Sequence, residues 1–124
     1  MSSLSLDAFL QAIGTDPQLD FEHCMQVIQQ HYDYTPTAFS NGLEGDLIVN
    51  DAGRNEGSCK IFAFARLHKL SEAQTLACFG RYYRVDVLQH PEGTDHQNIR
   101  LFMRYGWEGI NFFQEPLRPK VFPH

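Results

Sequence analysis

The chain is poor in the residues that staple, ligate or anchor a protein. Its 124 residues contain three cysteines, Cys24, Cys59 and Cys78, with no CxxC pair and no zinc-finger spacing among them. So sparse and odd a set points to reduced thiols rather than a disulfide framework. No run approaches the ~20 apolar residues that cross a bilayer. The opening MSSLSLDAFLQAIG lacks the basic and long apolar regions of a secretory leader. A soluble protein with no membrane association is expected.

Clusters of positive charge are missing too. Ten Lys and Arg are scattered among fifteen Asp and Glu, for a net charge of −5. Phosphate backbones need clustered cations, so nucleic acid is excluded as an expected partner. Arg81 and Arg84, one of the closer basic pairs, stand beside Asp86 and read as a solvated helix face. The six histidines, His23, His31, His68, His90, His96 and His124, make no HxH or HExxH arrangement. Asp46, Asn50, Asp51, Asn55 and Glu56 lack calcium-loop spacing. No metal and no cofactor are expected.

What remains is ordinary globular composition, 43% apolar and 20% charged, with ten phenylalanines to build a core. The length suits one domain over residues 1–124. The expected fold is mainly α, a compact orthogonal bundle of about five helices around a buried central one.

The first helix is read from about Leu4 to Ile13, with Leu6, Phe9, Leu10 and Ile13 on one face, and Gly14 ends it. Thr15 or Asp16 is expected to cap the second, with Pro17 at its first position. Its stripe is Phe21, Cys24, Met25, Ile28 and Tyr32. From Asp33 to Gly57, Pro36, Asn41-Gly42, Gly45 and Gly53 break the pattern. Leu47, Ile48 and Val49 suit a short hairpin strand against Ala38 and Phe39. A connection this long within a compact domain is often functional.

Ser58 is the expected cap of the central helix, which runs to about Leu70. Its CKIFAFARLHKL is apolar on nearly every side. Ser71-x-x-Gln74 opens a fourth helix, read to about Gln89, and Thr94-x-x-Gln97 a fifth that stops near Gly106. The stretch 107–124, rich in proline and aromatics, is expected to be irregular and to cover the core.

Three strings stand together: His31-Tyr-Asp-Tyr-Thr-Pro-Thr-Ala-Phe39, Asn55-Glu-Gly-Ser-Cys-Lys-Ile-Phe-Ala-Phe-Ala65, and Gly93-Thr-Asp-His-Gln-Asn-Ile-Arg100 followed by Phe102-Met103 and Gly106-Trp107. In this order, over about Leu6 to Phe113, the chain resembles the HopJ type III effector family of small bacterial proteins. The loop from Gly42 to Asp46 looks longer than that family's. The resemblance implies a bacterial cytoplasmic protein, or one secreted into host cells by a type III system, that acts on an unknown protein partner. It implies no catalytic activity to carry over. Ser2, Ser3 and Ser5 are compatible with a type III signal, although serines before an amphipathic helix are more often simply caps.

The residues themselves offer three chemistries. Cys59 in a helix's first turn could be a thiolate nucleophile, with His31 or His96 as base and Asn55 or Asp95 to orient it. Against this, free Cys at such a place is usually a small buried packing residue. The Gly57-Ser58-Cys59 string before Ala63-Phe64 is similar to that of papain-like proteases. Counted back from Ala63-Phe64, however, the nucleophile's place is held by Ile61. The long loop gathers Tyr34, Thr35, Phe39, Asn41, Asn55, Glu56 and Ser58, which suit a ligand or peptide site. Asn55 and Glu56 suit turn and capping roles equally well. The leading reading is an effector-like protein that binds a protein partner. The alternatives are a small cysteine-dependent hydrolase or transferase using Cys59, and a housekeeping domain that binds a small ligand.

Overall fold

The computed structural model describes residues 6–16 and 18–120. The expected helix start at Leu4, the Ser2, Ser3 and Ser5 leader, Pro17, Phe122 and His124 lie outside them. The chain runs through α1 (Leu6–Ala12), α2 (Phe21–His31), β1 (Tyr32–Tyr34), β2 (Phe39–Asn41), β3 (Ile48–Asn50), α3 (Glu56–Leu67), α4 (Glu72–Ala77), α5 (Gln97–Tyr105), β4 (Asn111–Phe112) and β5 (Leu117–Pro119). A π-helical stretch, Tyr82–Val87, lies between α4 and α5.

The expected mainly helical bundle is therefore corrected to a mixed α/β fold with two antiparallel sheets. One sheet pairs β1 with β5, setting Tyr32 opposite Pro119 and Tyr34 opposite Leu117. The other has the order β3-β2-β4. Its β2–β3 pair is the short hairpin anticipated around Asn41-Gly42, with Phe39 opposite Asn50 and Asn41 opposite Ile48. The remaining strands escape detection because each is two or three residues long, too short to show a period of two. Two of them lie in the proline-rich stretch expected to be irregular. Pro119 is tolerated there because β5 is an edge strand.

Helix α3 is the buried centre. Ile61, Phe62, Phe64 and Ala65 are all fully buried, and Phe62 meets the rings of Phe39, Phe79, Phe102 and Trp107. Trp107 also donates from Nε1 to the Leu70 carbonyl at 3.2 Å. The ends of the helices differ from expectation at several places, among them the start of α5, where His96 rather than Thr94 holds the N-cap position. Helix α2 is capped by Asp20, not by Thr15 or Asp16, in a box completed by His23. Asn55 rather than Ser58 holds the N-cap position of α3, without a side-chain bond to the helix. Helix α4 opens at Ser71 with Gln74 as read, yet stops at Ala77 instead of continuing to Gln89.

Gly80 is the reason for that stop. Its φ is +61°, and the Asp20 side chain occupies the space a β-carbon would need. The turn docks on the start of α2, where Asp20 Oδ1 accepts from the Arg81 N–H at 2.9 Å. Helical hydrogen bonding then resumes one residue wider, with Leu88 N–H donating to the Tyr83 carbonyl at 3.0 Å.

Candidate functional site

The start of α3 divides two environments. Asn55 adopts a left-handed conformation (φ 52°), which Asn tolerates better than most residues, and its side chain makes no cap to the helix. The Asn55 amide instead turns away and donates to Asn50 Oδ1 at 2.6 Å. The helix therefore begins one residue beyond that kink, and Cys59 falls at the fourth position. There its N–H is already paired with the Asn55 carbonyl at 3.0 Å. The N-terminal amides that would favour a thiolate lie a turn earlier.

Cys59 is 1% exposed, and its thiol donates to the Thr37 carbonyl at 3.7 Å. Burial pushes the thiol up to about 11, opposed in part by the Tyr34 hydroxyl. The charges acting on it are those of Glu56 and Lys60; no histidine is among them. The Tyr34 hydroxyl is buried without a well-formed hydrogen bond, and burial raises its pKa first, with Cys59 and Glu56 adding to the rise. The Lys60 ammonium covers the Tyr34 ring at 4.7 Å. This is a packed, protonated thiol.

On the other side lies a cluster of asparagines. Asn98, at the start of α5, and Asn50, at the end of β3, exchange side-chain hydrogen bonds at 3.0 and 3.1 Å. Asn41 donates to both the carbonyl and Oδ1 of Asn98, at 2.9 and 3.0 Å. Asn41, Asn50 and Asn98 are all buried, which ties the β2–β3 hairpin rigidly to α5. Asn41 Oδ1 is left without a partner among the described residues.

Above this cluster opens a concavity of about 420 Å³. Asn55, Gly57 and Ser58 of the α3 start border it on one side, and His96, Gln97 and Asn98 of the α5 start on the other. Phe21, Phe79 and Tyr82 supply apolar walls. His96 caps α5 in a left-handed conformation (φ 50°) without a side-chain cap, so both helices present first-turn N–H groups with no capping side chain. The His96 ring is fixed by Asp86 Oδ2 at 3.0 Å from Nε2 and by the Tyr82 ring at 5.4 Å. Such a site offers hydrogen-bond donors in an aromatic frame. The chain belongs to the HopJ type III effector protein family. The family's model matches residues 6–117.

No curated protein matches the chain. Among solved structures, this HopJ chain is similar to a protein of unknown function, VPA0580. The two are 52% identical, with a TM-score of 0.88 over 96% of this chain and 97% of that one.

The structure thus brings Asn55, Ser58 and His96 to one concavity, while Asn41 stays outside its lining and reaches it only through Asn98. Tyr34 and Glu56 belong to the Cys59 side instead. Phe39 is core, stacked between Phe62 and Phe112. Thr35 is tied by its N–H to the Pro116 carbonyl at 2.8 Å. His31 ends α2, and its carbonyl accepts from the Lys120 N–H at 3.0 Å. Asp95 pairs with Arg100 at 2.7 Å and lies 3.9 Å from His96 Nε2, the nitrogen that Asp86 meets at 3.0 Å.

Asn50, Asn98, Phe21, Tyr82 and Asp86 are the residues that sequence reasoning missed. A buried asparagine and an exposed one look alike in sequence. The one available signal was the number of asparagines flanking helix starts and turns. Among the described residues no group of three or more His, Cys, Asp or Glu is arranged to hold a metal ion. No helix among them is long and apolar enough to cross a membrane.

Proposed function

We propose that this HopJ-family chain acts by binding a protein partner without covalent chemistry, and that the concavity between the starts of α3 and α5 is its docking site. The observation that carries the reading is the convergence of two uncapped helix starts on one walled concavity over a rigid asparagine floor. A partner side chain bearing oxygen acceptors would meet the first-turn N–H groups and the Ser58 hydroxyl, with its stem against the touching ring pair of Phe21 and Tyr82. Membership of a type III effector family supports delivery through such a system as the route to that partner. The burial of the Cys59 thiol and its raised pKa count against the rival reading as a cysteine-dependent enzyme.

A photo-crosslinking residue placed at Ser58 tests this, with Gln11 on α1 as the control position. In lysates of bacteria and of a host, the Ser58 variant should capture a defined protein that the Gln11 variant does not. Adding His96→Ala should weaken that capture while the melting temperature stays within a few degrees. Equal capture from both positions would overturn the site. A small molecule co-purifying in the concavity, with no protein captured, would favour ligand binding instead.

A further inference from the structure

The C-terminal half of α3 borders two further concavities, which share Arg66. One, of about 390 Å³, lies between Arg66 and Leu67 of the helix and Phe112, Gln114 and Pro116 of the last segment. The other, of about 440 Å³, continues past Arg66 to Lys69, Leu70, Trp107 and Ile110. Set on either side of Arg66, they make a groove that is mainly polar in its first part and mainly apolar in its second, with two exposed cations. Neither cation belongs to an ion pair among the described residues, although Arg66 lies over the Phe112 ring at 5.7 Å. Glu115 is the one acid lining either part. In a chain with fifteen acids and ten bases, this is a locally reversed balance.

The same groove runs beside an open sheet edge. In the order β3-β2-β4, strand β4 is outermost. The Phe113 N–H donates to the Ala38 carbonyl at 3.1 Å, so Phe113 and Asn111 face β2. Antiparallel alternation then turns the N–H and C=O of Phe112 outward, toward the unpaired side. Phe113, 66% exposed, flanks that edge.

We propose that this groove docks an extended acidic and apolar peptide segment of a partner protein, added as a strand to the edge of β4 with its carboxylates meeting Arg66 and Lys69. Backbone pairing supplies register, alternate side chains reach the apolar walls, and the two cations select the charge. Because β4 is short, charge carries most of the discrimination. The site stands independently of what fills the concavity beside His96.

The test uses the full chain and two fluorescein-labelled eight-residue peptides, one alternating Glu with Val and one alternating Lys with Val, read by fluorescence polarisation. The Glu peptide should bind and the Lys peptide should not, and binding should weaken as salt rises from roughly 0.05 to 0.5 M. Reversing both charges, Arg66→Glu with Lys69→Glu, should weaken the Glu peptide roughly tenfold or more. In a nuclear magnetic resonance titration the Phe112 amide should shift with the peptide. If the reversed variant fails to fold, Arg66→Gln with Lys69→Gln is read in the same way. The proposal is overturned if neither peptide binds at millimolar concentration, if both bind alike, or if the charge variants leave affinity unchanged.

Discussion

Ser58 and Cys59 are neighbours on α3, one bordering an open concavity and the other buried against Thr37 with its thiol held protonated. A step of one residue turns about 100° around a helix, and here that step separates an open surface from a sealed one. The open side spends its polar groups outward, through helix starts without caps. The sealed side spends them inward, on Thr37, Tyr34 and Lys60. Reactive residue types near a helix start thus say little until the facing direction is known.

Both sides hang on the same helix, so the largest effect should come from its centre. Phe62→Ala should cost about 3–5 kcal/mol in a denaturant melt, because four neighbouring rings would border the cavity left behind. The open and sealed sides should be lost together. A loss below about 1 kcal/mol would mean that α3 does not organise them.

Breaking the open side alone is the next step down. Asn98→Ala removes the side-chain oxygen to which both Asn41 and Asn50 donate, leaving Asn41 only the Asn98 carbonyl and Asn50 only a long bond to the Phe39 carbonyl, at a cost of about 1–3 kcal/mol. The surviving fold should lose capture from position 58, while Cys59 stays as protected as before. Melting and crosslinking measured on one preparation would separate the two effects.

The sealed side should respond in the opposite way. Cys59→Ala should cost about 1 kcal/mol of packing and leave partner binding intact. An unchanged melting midpoint accompanied by lost binding would reverse the roles assigned to the two sides.

A smaller effect, at the far end of α3, sharpens what burial does to a titratable group. His68 lies within 2.5 Å of the Tyr32 hydroxyl and against the Phe64 ring, and burial lowers its pKa below the usual 6.5. The folded state therefore favours the neutral imidazole, paired through Nε2 with the Tyr32 hydroxyl. Below about pH 6.5 the unfolded chain takes up the proton more readily, so stability should fall as pH drops through that range. Urea midpoints at pH 7.5 and 5.5 should differ more for the native chain than for His68→Gln.

Much of this was legible in the residues, and the failures have physical causes. The apolar run Ile61–Ala65 announces a central helix because no face of it is left for water. The Ser71 and Gln74 box announces the start of α4 because both groups lie within one turn. Strand β5 could not be read, since Leu117–Pro119 pairs with Tyr32–Tyr34 across more than eighty intervening residues, and no local pattern records that partner. Asn55 and Ser58 were singled out for the right helix start, yet the concavity depends on Asn98 and Tyr82 from other elements. The groups that act on the Cys59 thiol, Tyr34, Glu56 and Lys60, were likewise not to be read from spacing. Which residues meet is decided by the fold, and Gly80, by ending α4 early, moves Asp86 and Tyr82 onto His96.

The account stands most directly on the state of the Cys59 thiol in the native protein. Iodoacetamide labelling at pH 6 and pH 8, followed by mass spectrometry of the Cys59 peptide, measures it. The predicted result is slow modification at both pH values, no faster than Cys24 and Cys78, accelerating only when denaturant unfolds the chain. Rapid, selective labelling of Cys59 at pH 6 that is lost on changing His31 or His96 would contradict the account and make the thiol, rather than the open concavity, the working part of the molecule.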